Sequence, residues 1–330
     1  MSATLDAWQR RCAASAPLRF VDVNLRGAAQ VMFQNHPLTG ALFIAAIAWG
    51  AWSADAGAVL AGGLLGLVAA TLCAMWLRVD AEGLAAGLYG YNGLLVGLAL
   101  PTFLDPTPLL WAYVLLGGAV SVVATLGTAN VTRTWRVAAL TFPFVLTTWL
   151  MLLAAAAFAG LGAEPPPFAG QTEPLPPGLA DPLDLAAFAV GVLYSISQVF
   201  LKANLVSALL FLAGLALASR AAAGFALGGA ALAVLTAHLL GAESDLVGAG
   251  LLGFSPVLTA VALGTVFYRP GWRVAAYAAL GTVFTVVAQA ALNMALAPLG
   301  IPALTAPFVL CAWLFLLPQQ HLQGSGDAKP

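Results

Sequence analysis

Thr141-Phe-Pro-Phe-Val-Leu-Thr-Thr-Trp-Leu150 returns later in the chain as Thr305-Ala-Pro-Phe-Val-Leu-Cys-Ala-Trp-Leu314. Seven of the ten positions are identical, at an offset of 164 residues. Ala and Leu align with anything in so apolar a chain, but Thr, Pro and Trp do not. Upstream, Gly87-Leu-Tyr-Gly-Tyr-Asn-Gly93 matches Gly250-Leu-Leu-Gly-Phe-Ser-Pro256 at an offset of 163, and Gln30-Val-Met-Phe33 matches Gln198-Val-Phe-Leu201 at 168. Three matches in one order at nearly one offset mark an internal duplication.

The 330 residues are 62% hydrophobic and 8% charged, with a mean hydropathy of +0.95. Soluble domains carry about 25% charged residues. The 12 basic and 13 acidic side chains cannot cover a chain of this length, so lipid must solvate most of its surface. The net charge of −1 offers no basic stripe for phosphates, which argues against nucleic acid. Cys12, Cys73 and Cys311 show no disulfide or metal spacing and read as small buried hydrophobes. Asp6, Arg10, Arg11, Arg19, Asp22 and Arg26 crowd the first 26 residues, so no signal peptide is expected there. The polar stretch 319–330 is expected to be a disordered tail.

Apolar runs near spanning length lie at 37–54, 57–77, 83–101, 109–129, 137–161, 203–219, 222–241, 246–268, 274–297 and 301–318. Two amphiphilic stretches, near 18–34 and 184–201, precede the first and sixth. Between the halves lies a segment too rich in proline to continue a helix, with Pro165, Pro166, Pro167, Pro174, Pro176 and Pro177. The expected organisation is an N-terminal cytoplasmic segment 1–17, a first repeat 18–161, an external loop 162–183, a second repeat 184–318 and the tail. Every arginine between spans falls on one side: Arg78, Arg133, Arg136, Arg220, Arg269 and Arg273. The opposite breaks hold Asp55, Asp105, Glu164, Glu173, Asp181, Asp184, Glu243 and Asp245. Basic residues mark the cytoplasmic side, so both termini are expected there. Five spans per repeat is an odd number, so the second repeat must enter the membrane from the other side. The expected fold is an all-α membrane protein of two inverted repeats, each of five transmembrane helices plus a re-entrant pore helix. A solute site would lie near the midplane between them.

The spans are nearly free of ionisable groups, Lys202 at the edge of the sixth being the exception. That favours passive passage of a neutral solute over ion coupling. No nucleophile–base or metal constellation points to an enzyme, a metal or a cofactor. Two symmetric polar pairs stand out, Gln30 with Gln198 and Thr141 with Thr305. Each threonine stands two residues before a proline that can break its helix, beside a freed carbonyl. Gluing helices together is the bland alternative for such residues. His36 and His238 do not occupy matching positions, since His36 aligns with Asn204, so a paired-histidine pore is not expected.

At these segments, together with Gln30–Gly40, Gly87–Gly97 and Ser197–Leu201, the chain resembles the urea transporter family over roughly residues 15–318. The resemblance implies ten transmembrane helices with two tilted re-entrant helices, and three protomers with a pore in each. It implies that Gln30 and Gln198 line a narrow filter with re-entrant-helix carbonyls, and that Thr141 and Thr305 border it. Phe33, Tyr91, Leu95, Val199, Leu201, Phe254 and Leu258 would form flat apolar slots above and below. It also implies a bacterial inner membrane, with urea as substrate and lipid as surroundings. His36 stands where Asn is often seen, Tyr91 where Phe is commoner, and Gln198 where bacterial members often have Glu. A row of oxygens would replace water on the four N–H donors of planar urea, and the slots would reject thicker or charged solutes. A channel for another small neutral solute such as an amide or ammonia, or an ion-coupled transporter on the same plan, remains the alternative.

Overall fold

The computed structural model describes residues 2–161 and 183–319. The proline-rich loop, except for Leu183, and the tail beyond Gln319 lie outside these residues. Among the described residues the chain is helical throughout, without a strand. Its first half comprises α1 (Ser2–Ala14), α2 (Ala16–Gln30), α3 (Pro37–Ser53), α4 (Gly57–Trp76), α5 (Ala81–Ala85), α6 (Tyr91–Phe103), α7 (Pro108–Thr132) and α8 (Phe142–Ala155). The second half comprises α9 (Leu185–Ser197), α10 (Leu205–Ala218), α11 (Arg220–Leu239), α12 (Ser244–Gly248), α13 (Phe254–Val261, with a π turn to Val266), α14 (Trp272–Leu296) and α15 (Ala306–Leu316). The order α2 to α8 recurs as α9 to α15.

The repeated starts and stops have local causes. His36 and Asn204, in matching positions, both cap a helix: His36 Nδ1 accepts from the Thr39 amide at 3.3 Å, and Asn204 Oδ1 from the Ser207 amide at 3.0 Å. His36 therefore does in the first half the capping that Asn204 does in the second. Phe33 (φ 62°) and Leu201 (φ 59°) turn the chain left-handed after α2 and α9. Non-glycine residues rarely adopt that conformation, and where they do the surroundings hold them. Gly87 (φ 77°) and Gly250 (φ 73°) do the same before α6 and α13, where an added Cβ would meet the Gly27 and Ser195 nitrogens at 2.3 and 2.4 Å.

Among the described residues four helices are long and apolar enough to cross a bilayer: Gly57–Trp76, Pro108–Trp135, Arg220–Leu239 and Trp272–Leu299, of 20 to 28 residues. At 1.5 Å per residue each reaches the ~30 Å of a hydrocarbon core. Leu185–Phe200 and Leu205–Ala218 meet at a 75° bend. The remaining apolar helices, α3, α6, α8, α13 with its π turn, and α15, are shorter. Ten runs of nearly full length were expected from hydropathy. The third and eighth instead begin in the short helices α5 and α12 and turn at Gly87 and Gly250, and the fifth and tenth begin with a non-helical lead closed by Leu140 and Leu304, all four residues at positive φ. Hydropathy weighs an extended apolar residue as it weighs a helical one, so it could not separate lead from helix. The N-terminal segment carries a further unexpected element, α1, tied to α2 by a 2.6 Å bond from the Trp8 indole to Asp22.

At the centre, α3 and α10 run antiparallel. Thr39 Oγ1 donates to the Gly214 carbonyl at 2.8 Å, and its counterpart Ser207 Oγ donates to the Ala46 carbonyl at 2.7 Å. Between these bonds the matching rings of Phe43 and Phe211 meet edge to face at 5.3 Å. Both rings are fully buried.

Candidate solute path

The chain leads into α8 and α15 through two non-helical segments, 137–141 and 301–305. Pro143 and Pro307 sit in the first turn of each helix, where no amide partner is missed and the ring fixes the helical φ. The two helix starts meet. Thr141 Oγ1 and Thr305 Oγ1 are 2.7 Å apart, and both residues are buried. Around this pair the bonds are reciprocal. The Trp149 indole donates to the Pro302 carbonyl and the Trp313 indole to the Ala138 carbonyl, each at 2.8 Å. Tyr113 donates to the Met151 carbonyl at 2.8 Å, and its counterpart Tyr277 to the Phe315 carbonyl at 2.7 Å.

Gln30 and Gln198 end their helices half-buried. Gln30 Nε2 donates to the Ala86 carbonyl at 2.9 Å, and Gln198 Nε2 to the Ala249 carbonyl at 3.1 Å. A carbonyl accepts only from the NH₂ side of an amide, so these bonds fix which way each amide faces. Among the described residues neither glutamine Oε1 accepts a hydrogen bond. Both are left as acceptors without a donor. Ala86 and Ala249 are held by the short turns α5 and α12. Asp80 caps α5, accepting from the Tyr89 hydroxyl and, at 2.6 Å, from the Gly83 amide. Those two donors hold its carboxyl below the usual carboxylate range, the Tyr89 bond most of all.

The expected slot residues fall into two groups. Phe33 is half-buried, edge-on to Phe267 at 6.4 Å and to Phe308 at 6.0 Å, and Phe308 stands one turn beyond Thr305. Half-buried Tyr91 donates to the Leu140 carbonyl at 2.5 Å, a bond that phenylalanine could not make. Phe254 begins α13, and the half-buried Leu201 lies in the turn between α9 and α10. Leu95, Val199 and Leu258 keep 1%, 2% and 0% of their surface, as deeply buried as Thr141 and Thr305. Among the described residues no hydrogen bond joins the glutamines to the threonine pair. Sequence reasoning missed Trp149 and Trp313 as bonding groups, although their identity in the duplicated decapeptide was the signal. It also missed the matched Asn92 and Ser255, whose Oδ1 and Oγ are buried without a partner. Among the described residues no group of three or more His, Cys, Asp or Glu is placed to hold a metal ion.

Long apolar helices around a central crossing of polar groups make this a polytopic helical membrane protein with a polar seam between its halves. The family model described as "UT: Urea transporter" matches residues 21–320. The chain belongs to the urea transporter family, whose members are transporters and not enzymes. Among its relatives, Urea transporter 1 of Ovis aries is 29% identical over 310 residues, covering 91% of this chain and 77% of that protein. Urea transporter 1 of Rattus norvegicus is 28% identical over 304 residues with the same coverage.

Proposed function

We propose that this protein lets urea cross a membrane passively, along the seam between two inverted repeats, residues 18–161 and 184–318. The observation that carries the reading is the Thr141–Thr305 hydroxyl pair, framed by the reciprocal Trp149 and Trp313 bonds. Equivalent residues that touch one another must lie on a two-fold axis. Antiparallel α3 and α10 support an axis in the membrane plane, since equivalent helices then run in opposite directions. Each repeat contributes five spans, and α2 and α9 dip in and return. Non-helical backbone at membrane depth, such as 137–141 and 301–305, survives only against protein or a polar path.

In this reading the Gln30 and Gln198 oxygens accept from the urea amides as its water is stripped. Thr141 and Thr305 border the constriction. Phe33, Tyr91, Leu95, Val199, Leu201, Phe254 and Leu258 form apolar slots that confine the flat faces of the molecule. Neutral acceptors bind weakly enough to release, which conduction requires. The rest of the organisation is proposed from the resemblance: a homotrimer with one pore per protomer, surrounded by lipid in a bacterial inner membrane, both termini cytoplasmic. Stopped-flow light scattering of proteoliposomes tests the reading. Urea flux should be unchanged when proton and sodium gradients are collapsed, because no relay of ionisable groups crosses the spans. Gradient-driven accumulation of urea would replace the channel with a coupled transporter.

A further inference from the structure

A groove of about 450 Å³ opens on the outside of the second half, between α11 and α14 with Ala260 of α13 at its back. Its floor and walls include Gly224, Gly228, Ala275, Ala279 and Thr282. The Thr282 hydroxyl is bonded within its own helix to the Ala278 carbonyl at 2.7 Å, so the wall is apolar. The matching helices of the first half lie closer together, for a reason visible in the sequence. There α4, α6 and α7 close on glycines: a Cβ on Gly62 would stand 2.4 Å from the Gly97 carbonyl, and one on Gly118 2.8 Å from that of Gly66. At the matching positions the second half has Phe225 for Gly62, Ala260 for Gly97 and Thr282 for Gly118. These larger side chains hold α14 away from α11.

The groove also has a charged end. α13 runs antiparallel to α11, with Ala260 against Gly229 and Gly264 against Phe225. It runs antiparallel to α14 as well, with Leu263 against Gly281 and Thr259 bonded to Thr285 at 2.9 Å. Hence α11 and α14 are parallel, and their N-termini share one end of the groove. Arg220 begins α11 and Arg273 is the second residue of α14. Both are exposed, and neither has a carboxylate partner, the ion pair found among the described residues being Arg26–Asp22. No side chain caps α14, which leaves its first amides and positive dipole end free as well. Trp272, 77% exposed beside Arg273, is the residue type that marks a membrane–water interface. From Ala221 to Leu232 the lining runs roughly 16 Å along α11, about half a ~30 Å hydrocarbon core.

We propose that this groove holds one acyl chain of an anionic phospholipid whose phosphate is gripped by Arg220 and Arg273. The fit combines an apolar slot one leaflet deep with two arginines free of carboxylate partners at its interfacial end, Arg273 lying 5.4 Å over the Trp272 ring. The inference does not depend on the urea reading, and flux is measured separately so that the two can fail apart.

The test is native mass spectrometry of the purified protein in neutral detergent, titrated with phosphatidylglycerol and with phosphatidylcholine. One phosphatidylglycerol per protomer should be retained in preference to phosphatidylcholine by roughly thirtyfold, the effect of two surface arginines. The double variant Arg220→Gln/Arg273→Gln should bring that ratio close to one. Gly228→Leu should abolish retention of both lipids. A Cβ at Gly228 meets nothing within 4 Å, so this variant fills the groove without disturbing the fold. Equal retention of the two lipids, or retention that survives Gly228→Leu, overturns the proposal. A change of oligomeric state on Gly228→Leu would also overturn it, by showing the groove to be covered by a second copy of the chain.

Discussion

Gln30 and Gln198 use their amide N–H groups on the Ala86 and Ala249 carbonyls, and that anchoring is what presents their oxygens elsewhere. Gln30→Leu and Gln198→Leu keep the volume roughly similar and remove the acceptor. Each should cut urea permeation about tenfold, the effect of one lost bond of about 1.4 kcal/mol at the barrier. Assembled yield should change less, because leucine is apolar in an apolar setting. Normal flux through well-assembled variants would show that these glutamines are not the filter. The threonine pair makes a different forecast, because its members satisfy each other at 2.7 Å. Thr141→Val leaves the Thr305 hydroxyl buried and unpaired, at about 1–3 kcal/mol. The double substitution removes both groups and should cost less than the two singles added together. Thermal melts of the four proteins close this double-mutant cycle, and simple additivity would mean that the two hydroxyls are not coupled. Flux in these variants should fall less than in the glutamine variants, since a hydroxyl is lost with little change of shape.

Short turns aim the site, and they tolerate little change. Gly87 and Gly250 hold φ values of 77° and 73°, with the backbone of Gly27 or Ser195 against them. Gly87→Ala and Gly250→Ala should each destabilise the assembled protein by at least about 1–2 kcal/mol, the left-handed penalty alone, before the 2.3 and 2.4 Å approaches are relieved. Melting temperature and detergent-extracted yield measure it, and a Gly87→Ala protein that melts with the parent would remove the turn from the argument. At this scale the sequence was only partly legible. The amphiphilic stretches near 18–34 and 184–201 announced α2 and α9, because polar residues on an otherwise apolar segment need a reason. The paired Thr-x-Pro motifs announced the starts of α8 and α15, because proline is at home in a first helical turn. The leads 137–141 and 301–305 were read as helix, since backbone conformation leaves no trace in hydropathy. The Trp149 and Trp313 bonds were invisible for another reason. Each joins an indole to a carbonyl more than 150 residues away, and a carbonyl has no residue type by which to be noticed.

At the scale of the whole molecule, orientation decides the reading, and equivalent positions give a sharper test than distant ones. In a duplication whose halves insert the same way, matching residues face the same side of the membrane. In an inverted one they face opposite sides. Glu82 matches Asp245 at the offset of 163, and Asp105 matches Arg269 at 164; all four are exposed at helix ends. With Cys12, Cys73 and Cys311 replaced, single cysteines at these four positions can be labelled by an impermeant maleimide applied from one side. Glu82→Cys and Arg269→Cys should label together, from the side that carries the arginines. Asp105→Cys and Asp245→Cys should label together from the other. The antiparallel run of α3 and α10 favours this outcome, since a two-fold axis in the membrane plane exchanges the two faces. If Glu82→Cys and Asp245→Cys label from the same side, the repeats are parallel, the axis lies along the membrane normal, and the seam at Thr141 and Thr305 loses its claim to the midplane.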